Sequence, residues 1–266
     1  MRKNYKGIIL AGGLGTRLFP VTKYINKHLL NVYDKPMIYY ALSVLFLAKI
    51  KEILIITNKG DVDKFQQLLG DGKKFGAHIE FMTQERPEGI AQALHIGRKF
   101  ISSDNIALLL GDNIFFGSNF RTKINIAMKT NTGASIFTYP VKNSKQFGII
   151  EFDKKNKIKK ITEKPKNSKS NIAITGFYFY TNKALNYSKL LKKSKRGEYE
   201  ITDLNNIFFK KKKLKINNLD RGFYWNDCGT FDNLLNSSSA IESFQKRHNY
   251  KIGDPIEIAK KNHWIK

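Results

Sequence analysis

The sequence has few of the residues that mark secreted, membrane-bound or multidomain proteins. It contains one cysteine and six prolines in 266 residues. A single cysteine excludes an internal disulfide framework and a cysteine-rich zinc site, and scarce proline argues against a flexible hinge between independent domains. The longest apolar stretch, residues 39–48, is about half a membrane span, and the apolar run at 7–11 is too short for a signal peptide. These absences predict a cytoplasmic protein without a membrane partner.

Acidic residues are also scarce. The chain has 22 Asp and Glu against 47 Lys and Arg, which gives a formal net charge of +25. Such a charge is compatible with a nucleic-acid-binding protein. The lysines, however, are spread over most of the chain and follow no aromatic stacking pattern, zinc-finger signature or RRM-like signature. We therefore favour solvated lysine-rich faces, which would also steer a polyphosphate toward the protein, and we expect no nucleic-acid partner.

Apolar strands and helical patterns alternate in the first half of the chain. This alternation predicts a Rossmann-like α/β fold with a mixed, mainly parallel sheet flanked by helices. After residue 130, closely spaced strands predict an added, smaller sheet region, followed by helices at 201–211 and 231–247. In the first half the predicted strands are 7–10, 52–57, 79–83 and 106–110, and the predicted helices are 38–48, 62–69, 90–100 and 120–128.

A glycine-rich loop follows the first predicted strand, in the stretch ILAGGLGTRLFP at 9–20. Its glycines allow backbone N–H groups to point at an anion. The loop lacks the Gly-Lys-Ser/Thr end of a Walker A motif, and Arg17 replaces the last glycine of a dinucleotide fingerprint. A guanidinium can hold two phosphate oxygens at once. The loop therefore predicts phosphate binding, with a tight turn that binds nothing as the alternative.

Two aspartates follow strand-like or aromatic segments. Asp112 comes directly after the predicted strand 106–110, and the carboxyl ends of strands are where α/β sheets place ligands. Asp227 stands in the stretch WNDCGT at 225–230. A simple turn is the alternative for Asp112, and a surface carboxylate is the alternative for Asp227.

Six motifs, in the same order along the chain, resemble those of the sugar-phosphate nucleotidyltransferases. They are LAGGLGTRLFPVT (10–22), Lys27, YDKPMI (33–38), GDN (111–113), EKP (163–165) and WNDCGT (225–230). Within that family, segments 65–72, 84–93 and 196–205 are most similar to the glucose-1-phosphate thymidylyltransferases. The resemblance implies the nucleotide-diphospho-sugar transferase fold. It also implies one unit over 1–266, with a nucleotide-binding part at about 1–130, a sugar-binding part at 131–230 and a C-terminal helical part at 231–266 that is shorter than in the family.

The reaction that the resemblance implies joins dTTP and glucose 1-phosphate into dTDP-glucose and pyrophosphate, with Mg²⁺ as cofactor. The sugar phosphate would attack the α-phosphorus in line. A phosphate monoester is already ionised at neutral pH, so no general base is required. Two unit charges about 4 Å apart repel by roughly 4 kcal/mol at an effective dielectric near 20, so cations must dominate the site.

The resemblance also implies a role for individual residues. Arg17 would hold the leaving pyrophosphate, Lys27 the α-phosphate and Lys164 the sugar phosphate, although a lone lysine is usually only solvated. Asp112 and Asp227 would bind Mg²⁺. Gln84 and the backbone of Gly89 would recognise the base. The other implied nucleotide contacts are Leu10, Ala11, Gly12, Gly13, Gly15, Thr16 and His28, and the implied sugar contacts are Asn113, Gly148, Glu163, Thr175, Gly176 and Trp225.

Three features depart from the family pattern. His28 stands where thymidylyltransferases have glutamine, which leaves UTP open as the nucleotide, and another hexose 1-phosphate is a further alternative. Cys228 replaces a common threonine; it is either a small buried filler or a thiol through which Zn²⁺ inhibits. The resemblance implies a homo-oligomer, dimer or tetramer, and allosteric feedback. In the family the C-terminal region helps to build both, so the shorter C-terminal part leaves both open in this chain. A non-catalytic sugar-nucleotide-binding homologue is the remaining alternative, and the intact cationic and acidic positions argue against it.

Overall fold

The computed structural model describes residues 4–266, so residues 1–3 of the predicted nucleotide-binding part lie outside the described residues. Within this range the strands are β1 (Tyr5–Leu10), β2 (Asn31–Val32), β3 (Lys35–Pro36), β4 (Glu52–Asn58), β5 (His78–Gln84), β6 (Asn105–Leu110), β7 (Asn113–Gly117), β8 (Ala134–Pro140), β9 (Gly148–Phe152), β10 (Ile158–Glu163), β11 (Ile172–Tyr180), β12 (Leu214–Asn218) and β13 (Phe223–Asp227). The α-helices are α1 (Met37–Leu47), α2 (Val62–Leu69), α3 (Gln92–Ile96), α4 (Arg98–Ile101), α5 (Phe120–Thr130), α6 (Ala184–Ser188), α7 (Ile201–Lys210), α8 (Phe231–His248) and α9 (Pro255–Lys261). Short 3₁₀ helices include Thr16–Leu18, Lys27–Leu29 and Lys59–Asp61.

A nine-stranded sheet forms the centre of the molecule. Its main path runs β10-β9-β11-β6-β1-β4-β5, and β8 pairs with both β11 and β12. The block β6-β1-β4-β5 is parallel, whereas β11 joins β6 antiparallel. Two small antiparallel pairs, β7 with β13 and β2 with β3, lie apart from it. The predicted Rossmann-like, mainly parallel sheet is therefore confirmed, and strands from the second half extend it.

Apolar layers cover both faces of this sheet. Ile9 and Phe177 belong to one buried cluster, whereas their chain neighbours Ile8 and Tyr178 belong to the other. Successive strand residues point to opposite faces, so strands buried on both sides must be apolar throughout. This explains why the central strands read as continuous apolar runs.

The predicted helix at 90–100 is wrong in one respect, because the structure divides it into α3 and α4 at Gly97. A Cβ at Gly97 would lie 2.9 Å from Ile8 Cδ1 and 3.1 Å from Leu54 Cδ2. The chain lies directly on the sheet there, and that close approach requires glycine. None of the helices in the described part of the chain is long and apolar enough to cross a membrane.

Candidate active site

The glycine loop and Asp112 meet at one edge of the sheet. The parallel strands β1 and β6 pair Leu10 with Leu110, so both chains leave the sheet side by side. The Gly111 N–H donates to the Leu10 carbonyl at 2.8 Å. As expected for parallel strands, the two carboxyl ends form one edge, and the loop and Asp112 extend from it.

The pair of strands β7 and β13 brings the second aspartate to the same place. Asp227 lies opposite Asn113, and the Cys228 N–H donates to the Asp112 carbonyl at 2.9 Å. Arg17 reaches this position from the loop, with its Nη2 atom 3.8 Å from Asp227 Oδ2. Sequence segments far apart in the chain thus form one charged centre.

The two aspartates at this centre have pKa values shifted in opposite directions. Lys27 donates from Nζ to Asp112 Oδ2 in a buried ion pair. Burial alone would raise the pKa of Asp112, but the Lys27 charge and hydrogen bond outweigh burial and hold the pKa below its usual value. Burial, and then the charge of Asp112, raise the pKa of Asp227 to about 6. Asp227 is therefore the carboxylate whose negative charge is less well compensated by its surroundings.

This donor set fits a divalent cation. Asp112 and Asp227 supply hard carboxylate oxygens from adjacent backbone segments, and a bound cation would lower the raised pKa of Asp227. Within residues 4–266 no cluster of three or more His, Cys, Asp or Glu forms a metal site. Two carboxylates, completed by phosphate oxygens and water, are the usual ligands of Mg²⁺ in phosphoryl-transfer sites.

His28 lies beneath this centre and is 1% exposed. Its backbone N–H and its Nδ1 atom both contact Asn26 Oδ1, at 2.9 and 2.8 Å. Burial, and then the charge of Lys27, lower the pKa of His28 to about 3, so the ring is neutral. His28 therefore supports the turn that carries Lys27, and the nucleotide contact that the resemblance implied at this position stays a prediction.

A cavity of about 440 Å³ opens next to the charged centre. Its lining includes nine predicted site residues, namely Arg17, Asn113, Gly148, Glu163, Lys164, Thr175, Gly176, Trp225 and Asp227. Lys27 and Asp112 lie at its edge, joined to it through Asn113 and Asp227. The structure thus brings the predicted sugar contacts together in one cavity.

The predicted base contacts lie beyond that lining. The Gln84 side chain is buried against Gly12, where a Cβ would be 1.9 Å from Gln84 Nε2. Gly89 lies in a segment held against Tyr199: the Tyr199 N–H donates to the Glu88 carbonyl at 2.7 Å, and the Ala91 N–H donates to the Tyr199 carbonyl at 3.2 Å. Of the two predicted base contacts, Gln84 thus lies against the glycine loop and Gly89 lies beside Tyr199.

Several predicted sugar contacts have their polar groups bonded within the protein. Asn113 Oδ1 accepts from Trp225 Nε1 at 2.7 Å and from the Gly176 N–H at 3.0 Å, and its Nδ2 donates to Asp112 Oδ1 at 2.9 Å. The Thr175 hydroxyl donates to the Phe137 carbonyl at 3.2 Å. Asn113 and Thr175 thus fix the cavity wall.

Glu163 and Lys164 follow each other in the chain and both line the cavity. Thr202 donates its hydroxyl to Glu163, and burial raises the pKa of Glu163 above its usual value. Lys164 has an unusual φ of 40°, and its N–H donates to the Phe147 carbonyl at 3.0 Å. The exposed Lys164 ammonium and the Glu163 carboxylate line the same cavity.

The sequence analysis missed a second polar cluster in the cavity, centred on Arg196. Its Nη2 atom lies 2.8 Å from Glu200, 3.1 Å from Glu198 and 3.7 Å from Glu163. Segment 196–205 was recognised only as a family resemblance, without roles for its residues. The alternation of Arg196 with Glu198 and Glu200 was the available signal.

Cys228 is fully buried beside the charged centre. Its thiol donates to Ser237 Oγ at 3.1 Å, and burial raises its pKa to about 12. A thiol in that state is a poor metal ligand, because metal binding needs the thiolate. We therefore expect Cys228→Thr and the parent to be equally sensitive to Zn²⁺, measured as the Zn²⁺ concentration that halves the rate. A clear gain of resistance in the variant would contradict this.

Comparison with known proteins agrees with this geometry. The sequence profile described as nucleotidyl transferase matches residues 6–243. The glucose-1-phosphate thymidylyltransferase of Neisseria meningitidis is 48% identical over 260 residues, covering 98% of this chain and 90% of the relative, and that of Mycolicibacterium smegmatis is 46% identical over 254 residues, covering 96% and 88%. A solved Bacillus anthracis structure described as a glucose-1-phosphate thymidylyltransferase is 40% identical, with a TM-score of 0.82 over 89% of this chain and 95% of that chain. A UDP-glucose pyrophosphorylase, 24% identical with a TM-score of 0.78 over 93% of this chain and 100% of that chain, shares the fold. The chain therefore belongs to the nucleotidyl transferase family, among the glucose-1-phosphate thymidylyltransferases, as its motifs predicted.

Proposed function

We propose that the protein transfers a thymidylyl group from dTTP to glucose 1-phosphate, forming dTDP-glucose and pyrophosphate. The observation that carries this proposal is one continuous site. The glycine loop brings Arg17 to the cavity that Glu163 and Lys164 also line. Asp227 lines this cavity next to Arg17, and Lys27 and Asp112 lie beside Asp227, where a nucleotide and a sugar phosphate would meet.

On the nucleotide side, the chain offers positive charge and free backbone donors. Within residues 4–266, the N–H groups of Leu14, Gly15 and Thr16 donate to no protein acceptor. We propose that these N–H groups and Arg17 hold the β- and γ-phosphates, and that Lys27 stabilises charge on the α-phosphate. Arg17 is half-exposed, with 51% of its side chain accessible, so it can reach a bound phosphate.

On the sugar side, Lys164 would hold the phosphate of glucose 1-phosphate in line with the α-phosphorus. Glu163 would accept hydrogen bonds from sugar hydroxyls, and Trp225 packs against Phe147 with ring centroids 5.2 Å apart to form an apolar wall. Gln84, at the glycine loop, would read the pyrimidine edge with its amide. Positioning and charge stabilisation supply nearly all the catalysis in such a reaction.

We infer that Mg²⁺ is the cofactor and that Asp112 and Asp227 hold it. When bound, it would neutralise charge on the triphosphate and polarise the α-phosphate. A homo-oligomer stays a prediction; the exposed Phe231, Leu235 and Phe244 of α8 support it, because such side chains often mark protein contacts.

The test is pyrophosphate release from a panel of nucleoside triphosphates mixed with glucose 1-phosphate, with Mg²⁺ or with EDTA. We expect release with dTTP and Mg²⁺, weaker release with UTP, and none with EDTA, because the two carboxylates would repel a triphosphate unless a cation is bound. Faster release with UTP would reassign the nucleotide. No release with any triphosphate would contradict the enzyme proposal.

A further inference from the structure

Asp61 occupies an unusual place at the start of α2. It is the N-cap residue of that helix, a position where an aspartate ordinarily accepts hydrogen bonds from the first helical N–H groups. Here its side chain makes no capping bond. It turns instead toward the glycine loop, and only 15% of the side chain is exposed. Asp61 ends the 3₁₀ helix Lys59–Asp61, and its carboxylate accepts from two asparagine amides and lies 3.7 Å from Lys64 Nζ.

Asn26 is the first partner of this carboxylate. Asn26 Nδ2 donates to Asp61 Oδ2 at 2.9 Å and to the Ala11 carbonyl at 3.0 Å. Its Oδ1 accepts from the backbone N–H of His28 at 2.9 Å and so caps the 3₁₀ turn Lys27–Leu29. Because a carboxylate and a carbonyl can only accept, Asp61 and the Ala11 carbonyl together hold the amide of Asn26 with its oxygen toward that turn.

Asn58 is the second partner. Asn58 Nδ2 donates to the same Asp61 Oδ2 atom at 3.1 Å and to the Gly13 carbonyl at 3.2 Å, while its Oδ1 accepts from the Gly13 N–H at 3.2 Å. This reciprocal pair fixes Gly13 at a φ of 95°. The Gly13 N–H is thereby used inside the protein, which leaves the following N–H groups of the loop to face a ligand.

We propose that Asp61 is a positioning residue for the transfer reaction. Its carboxylate orients the amides of Asn26 and Asn58, and through them it holds both the glycine loop and the turn that carries Lys27 in their phosphate-binding arrangement. The inference rests on the proposed function of that loop. Asp61 itself touches neither Lys27 nor the cavity, and its negative charge would only repel a triphosphate, so it acts through the two amides.

The experiment compares Asp61→Ala with Asp63→Ala, an exposed aspartate in the first turn of the same helix. In Asp61→Ala we expect kcat/KM for dTTP to fall about a hundredfold, because the phosphate cradle loses its fixed geometry. The KM for glucose 1-phosphate should stay within about twofold, since no contact of Asp61 reaches the sugar cavity. Asp61→Asn keeps an acceptor oxygen and should recover most of the loss, and Asp63→Ala should behave like the parent.

Asn58→Ala provides an independent test if Asp61→Ala does not fold. It removes the two Gly13 contacts and the hydrogen bond to Asp61, and it should raise the KM for dTTP while leaving that for glucose 1-phosphate unchanged. If Asp61 acts through Asn58, the double variant should be little worse than the poorer single variant. Equal rises in both KM values, or kcat/KM for dTTP within about twofold of the parent in Asp61→Ala, would overturn the proposal.

Calorimetric titration with dTTP separates this inference from the proposed function. A parent protein that binds dTTP but releases no pyrophosphate would contradict the proposed function alone. The dTTP affinities would then decide the role of Asp61: a Kd about tenfold weaker in Asp61→Ala than in Asp63→Ala supports it, and equal affinities overturn it.

Discussion

Asp112→Asn and Asp227→Asn should each lower the rate of pyrophosphate release about a thousandfold, while changing stability in opposite directions. Asparagine keeps the size of the side chain and one acceptor oxygen, but it carries no charge with which to hold a divalent cation. Both aspartates lie at the junction between the loop and the cavity, so the loss of either should affect turnover similarly.

The stability effects differ because the two carboxylates have different partners. Asp112→Asn leaves the buried Lys27 ammonium without its counterion, so the melting temperature should fall. Burial and the charge of Asp112 raise the pKa of Asp227 to about 6, so ionised Asp227 opposes folding in the metal-free protein. In Asp227→Asn that penalty disappears, and the retained oxygen can still accept from the Gly229 N–H, now bonded at 2.8 Å. The melting temperature should therefore rise.

Thermal melts without Mg²⁺ at about pH 8 and about pH 4 check the sign. A carboxyl whose folded-state pKa is raised costs stability above that pKa and nothing once it is protonated in both states. The advantage of Asp227→Asn should thus shrink toward acid pH. Asp63→Asn serves as the control for an exposed charge. Near-normal turnover in either active-site variant would show that its carboxylate is no metal ligand, and equal losses of stability would contradict the assigned charges.

Local sequence patterns were sufficient for the central sheet but not for the second strand pair. The strands β1, β4 and β6 are apolar throughout because they are buried on both faces, and such runs are visible in the sequence. The pair β7 and β13 joins residues such as Asn113 and Trp225, which are 112 positions apart. No local period indicates such a pairing, so the sequence predicted Asp112 and Asp227 at the site without predicting what brings them together.

The supporting residues of the site were missed for the same physical reason. Arg17 stands in a glycine-rich loop whose chemistry can be read from residue type and order, whereas the role of Lys27 was implied only by the family resemblance. Asp61 and Asn58 look like an ordinary helix start after a strand, and only their three-dimensional contacts turn them toward Gly13. The burial of the His28 side chain beneath the turn was equally invisible in the sequence, and the nucleotide contact that the resemblance implied for it stays a prediction.

Lys27→Met should lower turnover about a hundredfold or more and should also destabilise the protein. Methionine fills a similar volume without the ammonium, so under the proposed mechanism the α-phosphate would lose the cation that stabilises its charge. The Asp112 carboxylate is left buried beside a neutral His28 ring. Breaking a buried ion pair from one side costs about 3 kcal/mol of unfolding free energy, because the remaining charge has no partner.

A double variant distinguishes an electrostatic role of Lys27 from simple packing. In Lys27→Met/Asp112→Asn neither charge remains, so it should melt at a higher temperature than Lys27→Met alone, while turnover stays at or below that of either single variant. Added Mg²⁺ should raise the melting temperature of Lys27→Met more than that of the parent, because the cation replaces the lost positive charge.

Lys23→Met, which removes an exposed lysine from the same segment, is the control and should change neither turnover nor melting temperature. Turnover of Lys27→Met within about tenfold of the parent would exclude Lys27 from the stabilisation of the α-phosphate. If the losses of stability of the two single variants simply add in the double variant, the Lys27–Asp112 ion pair has no coupling free energy.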